Sequence, residues 1–445
     1  MLLIALMLIV TMAIISNTTS RIHPDEFDHI EAARFYRESW LPPAVGDPRT
    51  LDTYSVYGMS YLNEWDVVYI LAGKFALLIQ PIVQNEIYAF RFFNVCLFLL
   101  LVYMAWVRRD EILIFSILLI SPQIWYVFSY FNADAFALFL SILAAQELTS
   151  SSSAFNDRTR SVVARYLRVG IYVGLIILSK RTFWMFGVFT LCYIAAVEIW
   201  GSDKRRWHRL LAQAGTLAVF IGVVALPRIA YDIYVNGPPP QKAEEIIATA
   251  TLLADTGFKP AQLATNPYTL GRLKSRGTTL WQMVRTMRWF QLSAMSAFGV
   301  YHYMALFGAE KVYVLAGTCV GLLAGALVFL IALKGSAEDN IIMAFAVVCC
   351  MSVVGLSLYH SWVNDFQAQG RYLFAIFPIT GVLLMRAKTL LHRGFVSGIV
   401  GAGFLLSTYS FVFVGLHQIP KYWEHVETPD SPGFRLEREW KQRLH

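Results

Sequence analysis

Charge is scarce in this chain. Only 15% of its 445 residues are Asp, Glu, Lys or Arg, against about 25% in soluble domains, which excludes an ordinary water-soluble globule. Cysteine is scarce too. The five (Cys96, Cys192, Cys319, Cys349 and Cys350) all fall in apolar segments, so neither a disulfide framework nor a Cys/His metal spacing is implied. There is no glycine-rich phosphate loop, no dinucleotide fingerprint and no serine elbow, which disfavours a soluble nucleotide donor. No internal repeat is visible, although many transporters are built from repeats. The net charge of +7 lies largely in short loops between apolar runs, which argues against a nucleic-acid partner.

What is abundant is apolar. Hydrophobic residues make up 57% of the chain, with 31 Phe, 22 Tyr and 12 Trp. A spanning helix needs about 20 such residues. Candidate spans are 1–17, 91–107, 111–130, 134–148, 167–181, 183–200, 210–231, 311–333, 340–359, 372–387 and 395–415. The expectation is an all-α polytopic membrane protein with about eleven transmembrane helices in a single multi-span domain. The first segment reads as a retained span, because it lacks a charged n-region and a small-residue cleavage site.

Sidedness follows from the basic turns. Arg108-Arg109, the stretch 158–168, residues 204–209 and residues 386–393 are the arginine- and lysine-rich ones, and all four should face the cytoplasm. They share one side only if the apolar stretch 66–83 lies in the interface, with Lys74 snorkelling to the surface. The segments 18–90, 232–309 and 360–371 then face outward, as does the tail 416–445. Within 232–309, residues 279–298 read as an amphipathic interfacial helix.

The first outer loop begins with His23-Pro24-Asp25-Glu26-Phe27-Asp28-His29. Pro24 and the two acids after it suit the start of a helix, which Pro42-Pro43 would stop. Spacings of three and four put Asp25, Asp28 and His29 on one face. Three readings stand. The carboxylates hold a divalent cation, with His29 as a nitrogen ligand. One carboxylate is a general base. Or the acids simply cap a helix on a wet loop.

Other polar residues sit at the same membrane depth. Asp134 follows Asn132-Ala133 and is either a helix cap or a site residue. Lys180 and Arg181 lie outside against the positive-inside trend, either meeting an anion or snorkelling. Arg371, in Gln369-Gly370-Arg371-Tyr372, can fork onto a phosphate or anchor at the interface. Arg91 is a weaker candidate of the same kind. His302 and His360 reach the same side as ordinary loop residues or as ligands. Acids from one segment and cations from others suit a substrate with an anionic head group at the bilayer surface.

His23-Pro24-Asp25-Glu26 after a first span, with a long outer loop behind it, resembles the GT-C membrane glycosyltransferases. The closest likeness is to a bacterial family of predicted membrane proteins of unknown function. It is carried by Asp25-Glu26 with His29, Ser121-Pro122, Asn132-Ala133-Asp134-Ala135, Ser179-Lys180, Ser293 to Phe298-Gly299, and Gln369-Gly370-Arg371-Tyr372. The resemblance implies a polyprenyl-phosphate sugar donor and a glycan or lipid acceptor of the cell envelope. It places the site on the periplasmic or exterior face of a bacterial inner membrane. Asp25 would be the catalytic base, and Glu26 would support it or bind metal. Asp134 would be the second acidic position. Lys180 and Arg371 would contact the lipid phosphate, with His29, Gln369 and Tyr372 lining the substrate site. A divalent metal on Asp25, Asp28 and His29 would be the only cofactor. The chain departs from the family at Tyr61-Leu62-Asn63-Glu64-Trp65, where a proline-containing element is usual. Alternatives are a transporter or flippase of lipid-linked saccharides, and an envelope polysaccharide polymerase or ligase.

Overall fold

Apolar side chains drive most of this chain into helices, and the polar residues between them decide where the helices stop. A computed structural model describes residues 1–16, 22–200, 207–266 and 269–420. α1 (Leu2–Ile15) is uncharged. α2 (Glu26–Glu38) ends before Pro42-Pro43. α3 (Val68–Ile79) has 12 residues, roughly 18 Å of helix, too short for a hydrocarbon core about 30 Å thick. It lies along α2. The approach is close because Gly73 has no side chain: a Cβ there would stand 2.5 Å from the Ala33 carbonyl oxygen. Lys74 is half-buried. Its ammonium donates to the Arg37 carbonyl at 3.0 Å and sits 4.2 Å from the Trp40 ring, satisfying an acceptor at the carbonyl end of α2.

α4 (Glu86–Val107) is a full-length apolar helix capped by Asn85. The expected span 111–130 is not one helix. α5 (Ile112–Ser116) and a 3-10 turn lead to Ser121-Pro122, and α6 (Pro122–Ser129) leaves at 88°. Proline cannot donate a backbone hydrogen bond, so it ends one helix and suits the first position of the next. Trp125 Nε1 bridges the bend, donating to the Leu118 carbonyl at 2.6 Å. In α7 (Ala133–Thr149) every residue except Leu143 and Thr149 is buried. The expected span 134–148 is therefore wrapped by protein, not by lipid.

α8 (Val162–Ile177), α9 (Trp184–Trp200) and α10 (Trp207–Asn236) follow. α8 and α10 pack along each other because Gly170 and Gly174 leave two bare spots four residues apart. A Cβ on either would stand 2.5 Å from Phe220 Cβ or 2.8 Å from Val224 Cβ. α11 (Pro239–Leu253) leads into an irregular segment. The expected amphipathic helix over 279–298 is two helices, α12 (Leu280–Arg285) and α13 (Trp289–Ala297), broken where Arg288 takes φ 56°. A two-residue antiparallel ladder, β1 (Val300–Tyr301) with β2 (Leu306–Phe307), precedes α14 (Glu310–Lys334), α15 (Ala337–Val363), α16 (Ile376–Arg386) and α17 (Arg393–Tyr409).

The protein is an all-α membrane protein. Among the described residues six helices are long and apolar enough to cross a bilayer, or seven if the bent α5–α6 pair counts as one. The count of about eleven is not reached by that criterion: α1, α3 and α16 are apolar but short. α10, α14 and α15 expose apolar side chains such as Leu226, Phe329 and Met351, a surface suited to lipid.

α7 joins two polar ends, roughly 25 Å apart along its 17 residues. At its C-terminal end gather Arg108, Arg158, Arg165, Arg168 and Arg386, from three of the four basic turns. Residues 204–206 of the remaining turn lie outside the described residues, as does the tail beyond residue 420. At the other end the three long segments meet. Val45 N–H donates to Asn236 Oδ1 at 2.8 Å, Trp65 Nε1 to Asp232 Oδ2 at 2.9 Å, and Arg272 N–H to the Asn364 carbonyl at 2.7 Å.

Candidate active site

Asp25 occupies the N-cap position of α2 but does not cap it. Its side chain accepts nothing from the helix, and its backbone is left-handed, with φ 60° and ψ 7°. Aspartate tolerates this region better than most residues, and such strain, about 1–3 kcal/mol, clusters at functional sites. The carboxylate turns instead to Arg371, whose Nη2 donates to Oδ2 at 2.7 Å.

Arg371 lies in a 3-10 turn, Gly370–Leu373, that leads into α16. The turn is pressed against the end of α13: a Cβ on Gly370 would stand 2.1 Å from the Ala297 nitrogen. Only glycine fits there, and that fixes where the arginine emerges. Ser121 Oγ donates to the Ala297 carbonyl at 2.6 Å, so the short motifs around residues 121, 297 and 370 converge on one point. Arg371 Nη1 is 4.0 Å from Asp134 Oδ2, and Nη2 is 3.4 Å from the Tyr372 hydroxyl. Among the described residues its Nε and Nη1 have no hydrogen-bond partner. Gln369 precedes the turn, and its carbonyl accepts the Tyr372 N–H at 3.2 Å.

Asp134 is not a helix cap. Asn132 takes that role, its side chain accepting the Ala135 N–H at 3.1 Å. The Asp134 carboxylate is left buried, with no hydrogen bond to either oxygen among the described residues. Lys180 stands between α8 and the turn Arg181–Phe183, its ammonium 4.9 Å from the Tyr61 ring centroid. It acts electrostatically with Asp134, Tyr372 and Asp66.

Glu26 is placed differently from its neighbour. Arg91 grips both its oxygens, Nε to Oε1 at 2.8 Å and Nη2 to Oε2 at 2.7 Å, and both side chains are fully buried. Phe131 N–H donates to Oε1 at 3.1 Å, while Arg91 Nη1 donates to the Ala13 and Ser16 carbonyls at 3.1 and 2.8 Å. This pair ties the end of α1, the start of α2, α4 and the α6–α7 junction together. Its geometry makes Glu26 the anchor that holds the Asp25 backbone.

His29 is wedged among aromatics. Its ring stacks on Tyr61 at 4.1 Å, and Nδ1 is 2.8 Å from the Tyr69 hydroxyl. Burial, then the charges of Lys180 and Arg371, hold its pKa well below the usual histidine value, so the imidazole is neutral. The expected metal trio of Asp25, Asp28 and His29 does not gather. Asp25 starts the helix facing Arg371, and His29 faces Tyr69. Among the described residues no three His, Cys, Asp or Glu side chains are grouped to hold a metal.

The structure brings Asp25, Asp134, Arg371, Tyr372, Lys180 and His29 to one end of the bundle. It adds Tyr61, Tyr69 and Asp66, which sequence reasoning did not single out. Asp66 is buried, and that burial pushes its carboxyl up to about 7. Its signal in the sequence was an acid at the very edge of the apolar stretch 66–83. Compared with protein-family models, curated proteins and solved structures, the chain matches none.

Proposed function

We propose that this protein is a glycosyltransferase that takes a sugar from a polyprenyl-phosphate donor and passes it to a glycan or lipid acceptor of the cell envelope. The reading places the reaction on the non-cytoplasmic side of a bacterial inner membrane. One observation carries it. Arg371 holds the Asp25 carboxylate at 2.7 Å and pairs with Asp134 at 4.0 Å, while among the described residues its Nε and Nη1 have no hydrogen-bond partner. A proton acceptor thus stands beside an anion holder whose remaining donors point to a ligand.

In this reaction the acceptor hydroxyl attacks the anomeric carbon, and the bond from that carbon to the phosphate oxygen breaks. Asp25 takes the hydroxyl proton as the new bond forms. Arg371 and Lys180 stabilise the negative charge left on the lipid phosphate. Neutral His29, with Tyr61 and Tyr372, walls the site. Glu26 and Arg91 fix the strained Asp25 backbone from behind.

The test is transfer by the purified protein from a panel of short-chain polyprenyl-phosphate sugars. Sugar transfer with release of the lipid phosphate is expected, and none from nucleotide sugars. If no lipid donor is consumed while a lipid-linked saccharide crosses a reconstituted bilayer, the protein is a transporter and the proposal fails.

A further inference from the structure

Asp66 is a carboxylate that the proposed mechanism does not use. It is 6% exposed, and among the described residues no hydrogen bond or ion pair closes on its side chain. It does not sit there by accident of a loose loop. The next residue, Val67, donates its N–H to the Leu178 carbonyl at 3.0 Å, two residues before Lys180. This backbone bond pins the start of α3 to the turn that carries the lysine. The charged and titratable groups acting on Asp66 come from every side: Lys180 and Arg181 from the turn after α8, Asp134 from α7, Glu64 from its own loop, Tyr69 from α3 and Tyr36 from α2.

We propose that Asp66 is a positioning residue of the phosphate site, taking up one proton when an anionic head group arrives at Lys180. The inference rests on the assignment of Lys180 and Arg371 as phosphate holders. A buried carboxylate without a bonded cation is costly while charged and cheap while neutral. With the site empty, burial already lifts its carboxyl to about 7. A phosphodiester brings a further negative charge beside Lys180 and draws that lysine's field away from Asp66. Both effects favour the neutral acid. The proton enters from solvent onto Asp66, no bond in the donor changes, and Lys180 keeps its charge for the phosphate. The sign follows. Below about pH 7 Asp66 is already protonated and binding is insensitive to pH. Above it, each bound anion must bring a proton, so affinity falls up to tenfold per pH unit.

The experiment measures the dissociation constant of a short-chain prenyl-phosphate sugar for the full-length protein in detergent between pH 6 and 9. That ligand is a phosphodiester, so its own charge stays constant across the range. The wild type is expected to weaken by about tenfold per unit above pH 7.5. Asp66→Asn, which keeps shape and removes the charge, is expected to bind tightly and without slope. Glu64→Gln, which removes the Arg181 partner and one lesser charge acting on Asp66, is expected to keep a slope of the same size with its onset at slightly lower pH. If wild type and Asp66→Asn show the same slope, or the wild type shows none, the proton uptake is overturned and the phosphate site stands. If the wild type binds no prenyl-phosphate sugar at any pH, the assignment of Lys180 and Arg371 falls, and the role of Asp66 falls with it. If Asp66→Asn does not fold, the number of protons taken up by the wild type, measured by titration calorimetry in buffers of different ionisation enthalpy, decides: about one above pH 7.5 supports the proposal, and zero overturns it.

Discussion

The two ends of α7 carry the same chemistry, arginine against carboxylate, in opposite states. At the C-terminal end the carboxylates are closed. Glu198 accepts from Arg158, Arg165, Tyr166 and Gln213. Glu111 accepts from Gln146 and Ser150, Glu147 from the Phe155 N–H, and Asp339 from Arg386. At the N-terminal end, among the described residues, Asp134 has two oxygens without a hydrogen bond, Arg371 has two nitrogens without one, and His29 Nε2 has none. A buried polar group left unpaired costs about 1–3 kcal/mol. One end closes its carboxylates, and the other leaves buried donors and acceptors unpaired, as the proposed phosphate site requires. Asp25 and Glu26 show the same split at single-residue scale. Glu26 is locked onto Arg91, and its neighbour is strained and turned outward.

The largest effect that would break this comparison concerns that neighbouring pair. Asp25→Asn is expected to lower transfer by about 10²–10⁴-fold, the usual worth of a general base, while leaving the melting temperature in detergent unchanged. Glu26→Ala is expected to do the reverse first. It strands the buried Arg91, at a cost of about 3–5 kcal/mol, and should appear as a large loss of melting temperature or of folded yield. If the two variants behave alike, the split between them is wrong.

Arg371→Lys sharpens the comparison next. It keeps the charge but loses the fork that reaches both Asp25 and a phosphate. A fall in kcat/KM of about 10–100-fold is expected, worth about 1.4–2.7 kcal/mol. The matching change at the closed end, Arg158→Lys, should leave transfer alone, since Arg165 still holds Glu198. Gly370→Ala acts on the same arginine through the backbone. Its Cβ would overlap the Ala297 nitrogen, so the turn must shift, at about 1–3 kcal/mol of stability, and transfer should fall with it.

The smallest effect is the most diagnostic of an open end. Asp134→Asn removes a buried, unbonded carboxylate, so stability should hold or rise by about 1 kcal/mol. Glu147→Gln at the other end of the helix weakens an occupied acceptor and should lower stability slightly. Thermal melts of the two variants check this, and opposite signs are expected.

Much of the site was legible because its residues break rules that apolar chains obey. Asp25, Lys180 and Arg371 stood out as charges on the wrong side or at the wrong depth, and they meet at one end. The partner of Glu26 was not legible. Arg91 is 65 residues away, and only the packing of α4 against α1 and α6 brings it there. Asp134 was ambiguous because a cap and a site residue look alike in sequence, until Asn132 is seen to take the cap. Asp66 was hidden by the apolar run that follows it. Among the described residues only six or seven of the expected spans form helices long and apolar enough to cross a bilayer, because hydrophobicity reports burial without saying in what. Residues 111–130 form a bent pair and residues 134–148 are buried in protein, and Pro122 was the local sign that the first of them breaks.

The most direct measurement is a structure of the protein with a non-transferable phosphonate analogue of a short-chain prenyl-phosphate sugar. The phosphonate is expected within hydrogen-bond distance of Arg371 and Lys180, its sugar toward Asp25, with the unpartnered Arg371 nitrogens now bonded. An analogue bound at the arginine-rich end of α7, or bound elsewhere with Arg371 unchanged against Asp25, would contradict the assignment of the open end as the site of chemistry.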